Sequence, residues 1–365
     1  MDKNKRVVVT GLGVISSVGI GKDEFWKGIT EGRSGISEVT AFDTSLFRCH
    51  RGGEIKNFNP EDFISKRRVK FLGKASQMAI SAAILAYKDA GLTPKDYSKT
   101  KIGVLIGTTM GEKPLEELVQ AWVRGGLKDI DRHRVIQAAV NNISANVAMY
   151  FKAQGQNYMF PTACAAGNYA IGYGFDLIRN GDLDCALAGG ADVFSYMAFT
   201  GFQRIYAMAP ETCQPFDKDR KGMLLGEGSG ILIMEALDSA VARGAPIYAE
   251  ILGYGLSCDA YHTTAPDPAG IARALEKAAK ESGLTYKDVD YISAHGTGTP
   301  MNDKTESQAI KLFLKERYRD VPVSSIKSML GHPMGSASAI EAAACCLVAK
   351  HDLIPPTINF HTPDP

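Results

Sequence analysis

Pro161-Thr162-Ala163-Cys164-Ala165-Ala166-Gly167-Asn168 is the stretch on which the reading of this chain turns. Residues this small let the backbone turn sharply out of a strand and straight into a helix, which the following residues carry to about Arg179. A nucleophile suits such an elbow. The first turn of a helix has unpaired backbone N–H groups and the positive end of the macrodipole, and both favour a thiolate over a thiol. The placement therefore predicts a lowered pKa for Cys164. Most free cysteines are small buried hydrophobes, so Cys164 alone does not decide the chemistry.

Two histidine segments decide it. Tyr291-Ile292-Ser293-Ala294 runs into His295-Gly296-Thr297-Gly298-Thr299-Pro300, and Val321-Pro322-Val323-Ser324-Ser325-Ile326 runs into Lys327-Ser328-Met329-Leu330-Gly331-His332. Each is a hydrophobic strand followed by a tight polar loop, and strand ends are where several strands can aim side chains into one cleft. A cysteine elbow, two strand-end histidines and a lysine together point to thiol-based catalysis.

At these residues the chain resembles the elongating β-ketoacyl-acyl carrier protein synthases of the type I/II group, members of the thiolase superfamily. The resemblance spans nearly the whole chain. It includes VVVTGLGVISSVG from Val7, TACAAG around Cys164, ALAGGAD ending at Asp192, PFDKDRKGMLLGEGSG from Pro215, SCDAYHTTAPDPAG from Ser257, HGTGTP at His295 and KSMLGHPMGSASAIEA from Lys327. It implies an α/β thiolase fold in which duplicated halves pack as a five-layer α-β-α-β-α sandwich. It also implies Cys164, His295 and His332 as the catalytic set, with Lys327 and Glu306 as a buried ion pair that sets the charge and orientation of the histidines. Met110, at the floor of an acyl pocket, and Thr297, Thr299 and Phe202 are the implied substrate contacts. No cofactor or metal is implied, because the substrates ride on the phosphopantetheine of an acyl carrier protein. That carrier is the expected partner, with Lys66, Arg67, Arg68, Lys70 and Lys128 as its docking residues, and a homodimer or ketosynthase heterodimer is the expected assembly.

The resemblance implies a chemistry that these residue types suit. An acyl thioester transfers its acyl group to Cys164, and the elbow N–H groups help hold the tetrahedral oxyanion. A malonyl thioester then loses CO₂, leaving an enolate whose oxygen needs strong donors, a task suited to two histidine N–H groups. The carbanion attacks the acyl-cysteine and releases a 3-ketoacyl chain two carbons longer.

Composition agrees with a globular protein. The 365 residues exceed what one hydrophobic core usually serves, at 45% apolar and 22% charged. Forty-one basic and forty acidic residues give a net charge of +1, so no global field argues for nucleic acid or a membrane surface. The seven cysteines show no CxxC pair, which fits neither a zinc site nor a disulfide framework and suggests a reducing, cytoplasmic setting. No apolar run reaches transmembrane length.

The organisation reads as a duplication. Asp89-Ala-Gly-Leu-Thr-Pro-Lys-Asp-Tyr97 closes one helix before the strand Ile102 to Ile106, and Glu281-Ser-Gly-Leu-Thr-Tyr-Lys-Asp-Val289 closes another before Tyr291 to Ala294. Halves of 1–245 and 246–365 are expected, with small-residue helices at 76–90 and 335–350 packing closely around a buried pair of sheets. Gly11-Leu12-Gly13-Val14-Ile15-Ser16 follows a strand as a dinucleotide loop would, but Ser16 stands where the fingerprint needs its third glycine and no acidic strand-end partner follows about twenty residues later.

Two departures from the family pattern bear on function. The family continues several dozen residues beyond PPTINF, adding closing strands and a glycine-rich loop with a gating phenylalanine, so either the sequence is a piece of a longer protein or the chain is a shortened paralogue. The segment Ala207–Gln214 looks shorter than the family's loop, which would alter substrate entry. Two functions are therefore in play: a condensing acyltransferase of fatty-acid, polyketide or polyene assembly, and a non-catalytic partner subunit that binds carrier protein.

Overall fold

The computed structural model describes residues 4–93, 95–262 and 264–364. Its frame is a mixed seven-stranded sheet in which Gly19–Ile20, Val7–Ser16, Gly228–Ala236, Cys185–Asp192, Ile102–Gly107 and Asn157–Phe160 follow one another, with Ala249–Ile251 joining Val7–Ser16. Ile102–Gly107 runs parallel to both of its neighbours, whereas Gly228–Ala236 is antiparallel to both of its own. All residues of the four central strands are buried, because helices cover both faces.

Strand periodicity divides the apolar side chains between two cores. Leu105, Ala186, Ala188, Leu232 and Met234 face Ile171, Phe175 and Ile178 of the helix Ala166–Arg179 and Ile340, Ala343 and Leu347 of the helix Ala337–His351. Val104, Ile106, Leu187, Ile231 and Ile233 face the alanine-rich helix Lys74–Asp89 and the helix Asn142–Phe151.

A second sheet consists of Ile292–Ser293 and Val323–Ser324, paired in parallel. The helices Pro268–Ser282 and Pro300–Leu314 pack on it through Leu275, Ile310, Phe313 and Leu314. The helix Ala337–His351 therefore lies between the sheets, and the order of helices, sheet, helices, sheet, helices is the expected five-layer thiolase sandwich. Its second sheet is much the smaller among the described residues, and both histidine-bearing segments enter the sheet for two residues only.

The GLG segment is not a loop. Gly11 and Gly13 lie inside Val7–Ser16, where added Cβ atoms would come within 2.2 Å of the Ala86 carbonyl oxygen and 1.8 Å of that of Ala82. These glycines admit the helix Lys74–Asp89 against the sheet. The two GLT segments both sit between a helix and a strand, and Gly283 takes the left-handed conformation that closes Pro268–Ser282. No helix among the described residues is long and apolar enough to cross a membrane.

Candidate active site

The elbow forms as its composition requires, with one added feature. Ala163 takes φ 51°, Ala163–Ala165 make a 3₁₀ turn, and the helix proper starts at Ala166. A left-handed alanine is strained, and such strain recurs where a reactive side chain must be held at a turn. Cys164 is half-buried. Ser338, at the start of the helix Ala337–His351, donates to the Cys164 carbonyl at 3.2 Å and accepts from the Asn168 N–H at 3.0 Å, so the two central helices share the elbow.

Both histidines reach this cysteine. His332 Nε2 lies 3.1 Å from Cys164 Sγ, and the two imidazole rings meet edge to face with centroids 5.2 Å apart. Backbone pairing fixes His332: its N–H donates to the Leu224 carbonyl at 2.7 Å, and its carbonyl accepts from the Gly226 N–H at 2.9 Å. The LLGEG segment thus acts as a rail for the histidine loop. Nδ1 of His332 is buried without a hydrogen-bond partner among the described residues, which leaves Nε2 as the atom through which the ring works.

The expected Lys327–Glu306 ion pair is replaced by a different one. Lys327 is only 1% exposed, and its ammonium pairs with Glu341 while donating to the His295 carbonyl at 2.7 Å. Glu306 instead accepts from the backbone N–H groups of His295 and Gly296, at 2.6 and 2.8 Å. The reason is positional: the helix Ala337–His351 lies between the sheets and presents Glu341 to Lys327, whereas Glu306, in the helix Pro300–Leu314, meets the loop's own N–H groups. Both acids still act on His295, one through the lysine and one through the loop.

Electrostatics correct a second expectation. Burial pushes the Cys164 thiol above its ordinary range, and the opposing pull of Lys327 and the cysteine's own N–H does not cancel it. The resting group is a thiol. Burial, then the nearby Lys327 charge, hold His295 down to about 3 and His332 well below the ordinary histidine value. Both rings are therefore neutral at pH 7 and offer N–H donors without a competing positive charge.

The other expected residues fall into three places. Met110 and Phe202 pack in the same apolar cluster as Cys164, together with Phe199, Leu225 and Met334. Thr297 and Thr299 lie on the His295 loop with their hydroxyls 2.9 Å apart. Lys66, Arg67, Arg68 and Lys70 are exposed on and beside the short helix Lys66–Val69, and Lys128 is exposed in the turn Gly126–Asp129. Glu341, Ser338 and Asp192 were missed. Glu341 is the single acid in the small-residue run GSASAIEAAACC, and Asp192 is the polar end of the apolar run CALAGGAD; both were visible as exceptions.

The ligand atoms of Cys164, His295 and His332 lie within 4.8 Å of one another, a spacing that also suits a soft metal ion. The buried ammonium of Lys327 opposes a resident cation there, and a thiol facing two neutral imidazoles is the equipment of a thiol-dependent acyl-transfer enzyme. The chain belongs to the beta-ketoacyl synthase family: the family's N-terminal domain matches residues 4–240 and its C-terminal domain residues 248–361. It is 42% identical to the 3-oxoacyl-[acyl-carrier-protein] synthase 2 of Synechocystis sp., over 100% of this chain and 90% of that protein. The protein of the same name from Staphylococcus aureus is 40% identical over the same shares. Among solved structures, the ishigamide ketosynthase/chain length factor superposes with a TM-score of 0.96 at 45% identity, covering 99% of this chain and 90% of that one. A type II PKS acyl-carrier protein in complex with its ketosynthase bound to the hexaketide gives a TM-score of 0.90 at 34% identity over the same shares.

Proposed function

We propose that this chain catalyses the decarboxylative Claisen condensation of a Cys164-bound acyl group with a malonyl-acyl carrier protein, giving a 3-ketoacyl-acyl carrier protein. The observation that carries the reading is His332 Nε2 at 3.1 Å from Cys164 Sγ with a second neutral histidine beside it. In the first half-reaction Sγ attacks the acyl thioester. The thiol proton ends on the departing carrier sulfur, and the His332 N–H stabilises the thiolate in transit. In the second, the malonyl carboxylate leaves as CO₂ and its electron pair becomes an enolate, whose oxygen accepts from His295 and His332. The enolate carbon attacks the acyl carbonyl, the C–S bond breaks, and the cysteine thiolate regains a proton.

Lys327 and Glu306 act as positioning residues in this scheme, fixing the carbonyl and N–H sides of the His295 backbone. Met110 and Phe202 line the acyl chamber, and Thr297 and Thr299 meet the carrier's phosphopantetheine arm. The basic group Lys66, Arg67, Arg68, Lys70 and Lys128 docks the acidic face of the carrier protein. The functional unit comprises halves 1–245 and 246–365 working in a reducing, cytoplasmic setting, without a bound cofactor.

Assembly with a second ketosynthase-type chain, identical or not, is supported by unpartnered surface. Among the described residues the strand Asn157–Phe160 pairs on one side only, and Tyr158, Met149, Trp122 and Val123 are exposed. Incubation with acyl- and malonyl-carrier protein, followed by mass analysis of the carrier, tests the function. A 3-ketoacyl product two carbons longer than the donor supports it, whereas carrier binding without product favours the partner-subunit reading.

A further inference from the structure

Asp192 ends the strand Cys185–Asp192 completely buried, and the steps above make no use of it. No basic side chain pairs with it among the described residues. Its carboxylate is satisfied by loops from two other elements. Oδ1 accepts from the Thr108 hydroxyl at 2.6 Å and the Met110 N–H at 2.7 Å, the Thr109 N–H reaches both oxygens at 3.0 Å, and Oδ2 accepts from the Gly335 N–H at 2.6 Å. Thr108 Oγ1 accepts in turn from the Gly111 N–H at 3.0 Å, so Met110 is held from both sides. Gly335 lies three residues after His332, and an added Cβ there would sit 2.8 Å from Asp192 Oδ2 and 2.7 Å from the Thr108 carbonyl carbon. The loops meet with no slack.

We infer that Asp192 is a positioning residue whose single carboxylate sets the Met110 floor of the acyl chamber and the stance of His332 together. The inference rests on the proposed condensing reading for the roles of Met110 and His332. Its physical basis is that a buried carboxylate must keep its donors, since each lost one leaves a desolvated oxygen. A shift of the floor therefore pulls on the histidine loop. Burial raises the Asp192 carboxyl to about 6, in keeping with compensation by dipoles alone.

The two oxygens allow the two sides to be separated. In Asp192→Asn the amide nitrogen is best placed on the Gly335 side, where it opposes an N–H and cuts the tie to the histidine loop while keeping that to Met110. Thr108→Val removes one donor on the Met110 side and the anchor of Gly111. Steady-state release of CO₂ from malonyl-carrier protein, and the mass of acyl-Cys164 formed from acyl thioesters of graded length, are measured for both, with thermal melts alongside. D192N is expected to lower kcat for CO₂ release at least about tenfold with KM within about twofold, as for a misaligned oxyanion donor. T108V is expected to change the acyl lengths accepted without reproducing that loss. Wild-type kcat in folded D192N, unchanged lengths in T108V, or losses in both that merely track the melts would overturn the inference. Should D192N fail to fold, the T108V length profile decides alone. A wild-type protein that forms acyl-Cys164 but no 3-ketoacyl product contradicts the condensing reading instead, and the length arm still tests Asp192.

Discussion

Replacing Lys327 by Met removes a buried ammonium from between Glu341 and the His295 carbonyl, and the consequences for stability and for reactivity can be told apart. Lys327 is 1% exposed and the Glu341 side chain 13% exposed, so the substitution strands a carboxylate with little water. Breaking a buried pair from one side costs about 3–5 kcal/mol. The Glu341 side chain keeps some contact with solvent, so the expected loss lies at the low end, about 3 kcal/mol. That is on the order of a hundredfold in the folded-to-unfolded ratio. Urea unfolding at pH 7 of wild type, K327M, E341Q and the double variant measures it, and the double variant should recover about 2 kcal/mol because no charge is left unpaired. Reactivity should not recover. The Lys327 charge is what pulls the Cys164 thiol downward, so alkylation of Cys164 by iodoacetamide at pH 7 should fall severalfold in K327M and stay low in the double variant. A double variant as unstable as K327M, or alkylation of K327M at the wild-type rate, would refute the reasoning.

His295→Ala and His332→Ala should each cost about a hundredfold or more in CO₂ release from malonyl-carrier protein, and less in acyl transfer, measured as acyl-enzyme formation. Because burial depresses His295 to about 3 in the folded state, its contribution to stability is intact above pH 6.5 and is lost as pH falls from there toward about 3, by up to about 1.4 kcal/mol per unit, and His332, also depressed, adds to the loss in the same direction; urea midpoints across that range should show the slope, and H295N should lose His295's share. Met110→Trp should shorten the longest acyl group accepted while sparing acetyl transfer, and equal loss at all lengths would mean disturbed packing. Reversal of Lys66, Arg67 and Arg68 to Glu should raise KM for acyl-carrier substrates, most strongly at low salt, and spare acyl-pantetheine; equal losses on both would move the docking site elsewhere.

The parts of the site legible in the sequence were those carried by short local motifs. The cysteine elbow and the two strand-glycine-histidine segments each contain their own turn chemistry, and the layered fold needed only their order along the chain. Partner choice was not legible. Lys327 has two acids within reach of its region, Glu306 and Glu341, and which one it meets depends on which helix lies between the sheets. In the GLG segment glycine marks a turn or a close approach equally well, and only packing shows the helix Lys74–Asp89 pressed against Gly11 and Gly13. The raised Cys164 pKa was hidden for a related reason: a helix start favours the thiolate in any sequence, but the burial that opposes it comes from distant segments such as Phe199, Leu225 and Met334.

The central claim, that Cys164 carries the acyl chain, is tested most directly by intact-protein and peptide mass spectrometry after incubation with an acyl-carrier thioester. One acyl group on the peptide containing Cys164, absent from folded Cys164→Ala, is the predicted result. Acylation at another residue, or a 3-ketoacyl product formed by Cys164→Ala at the wild-type rate, would contradict it.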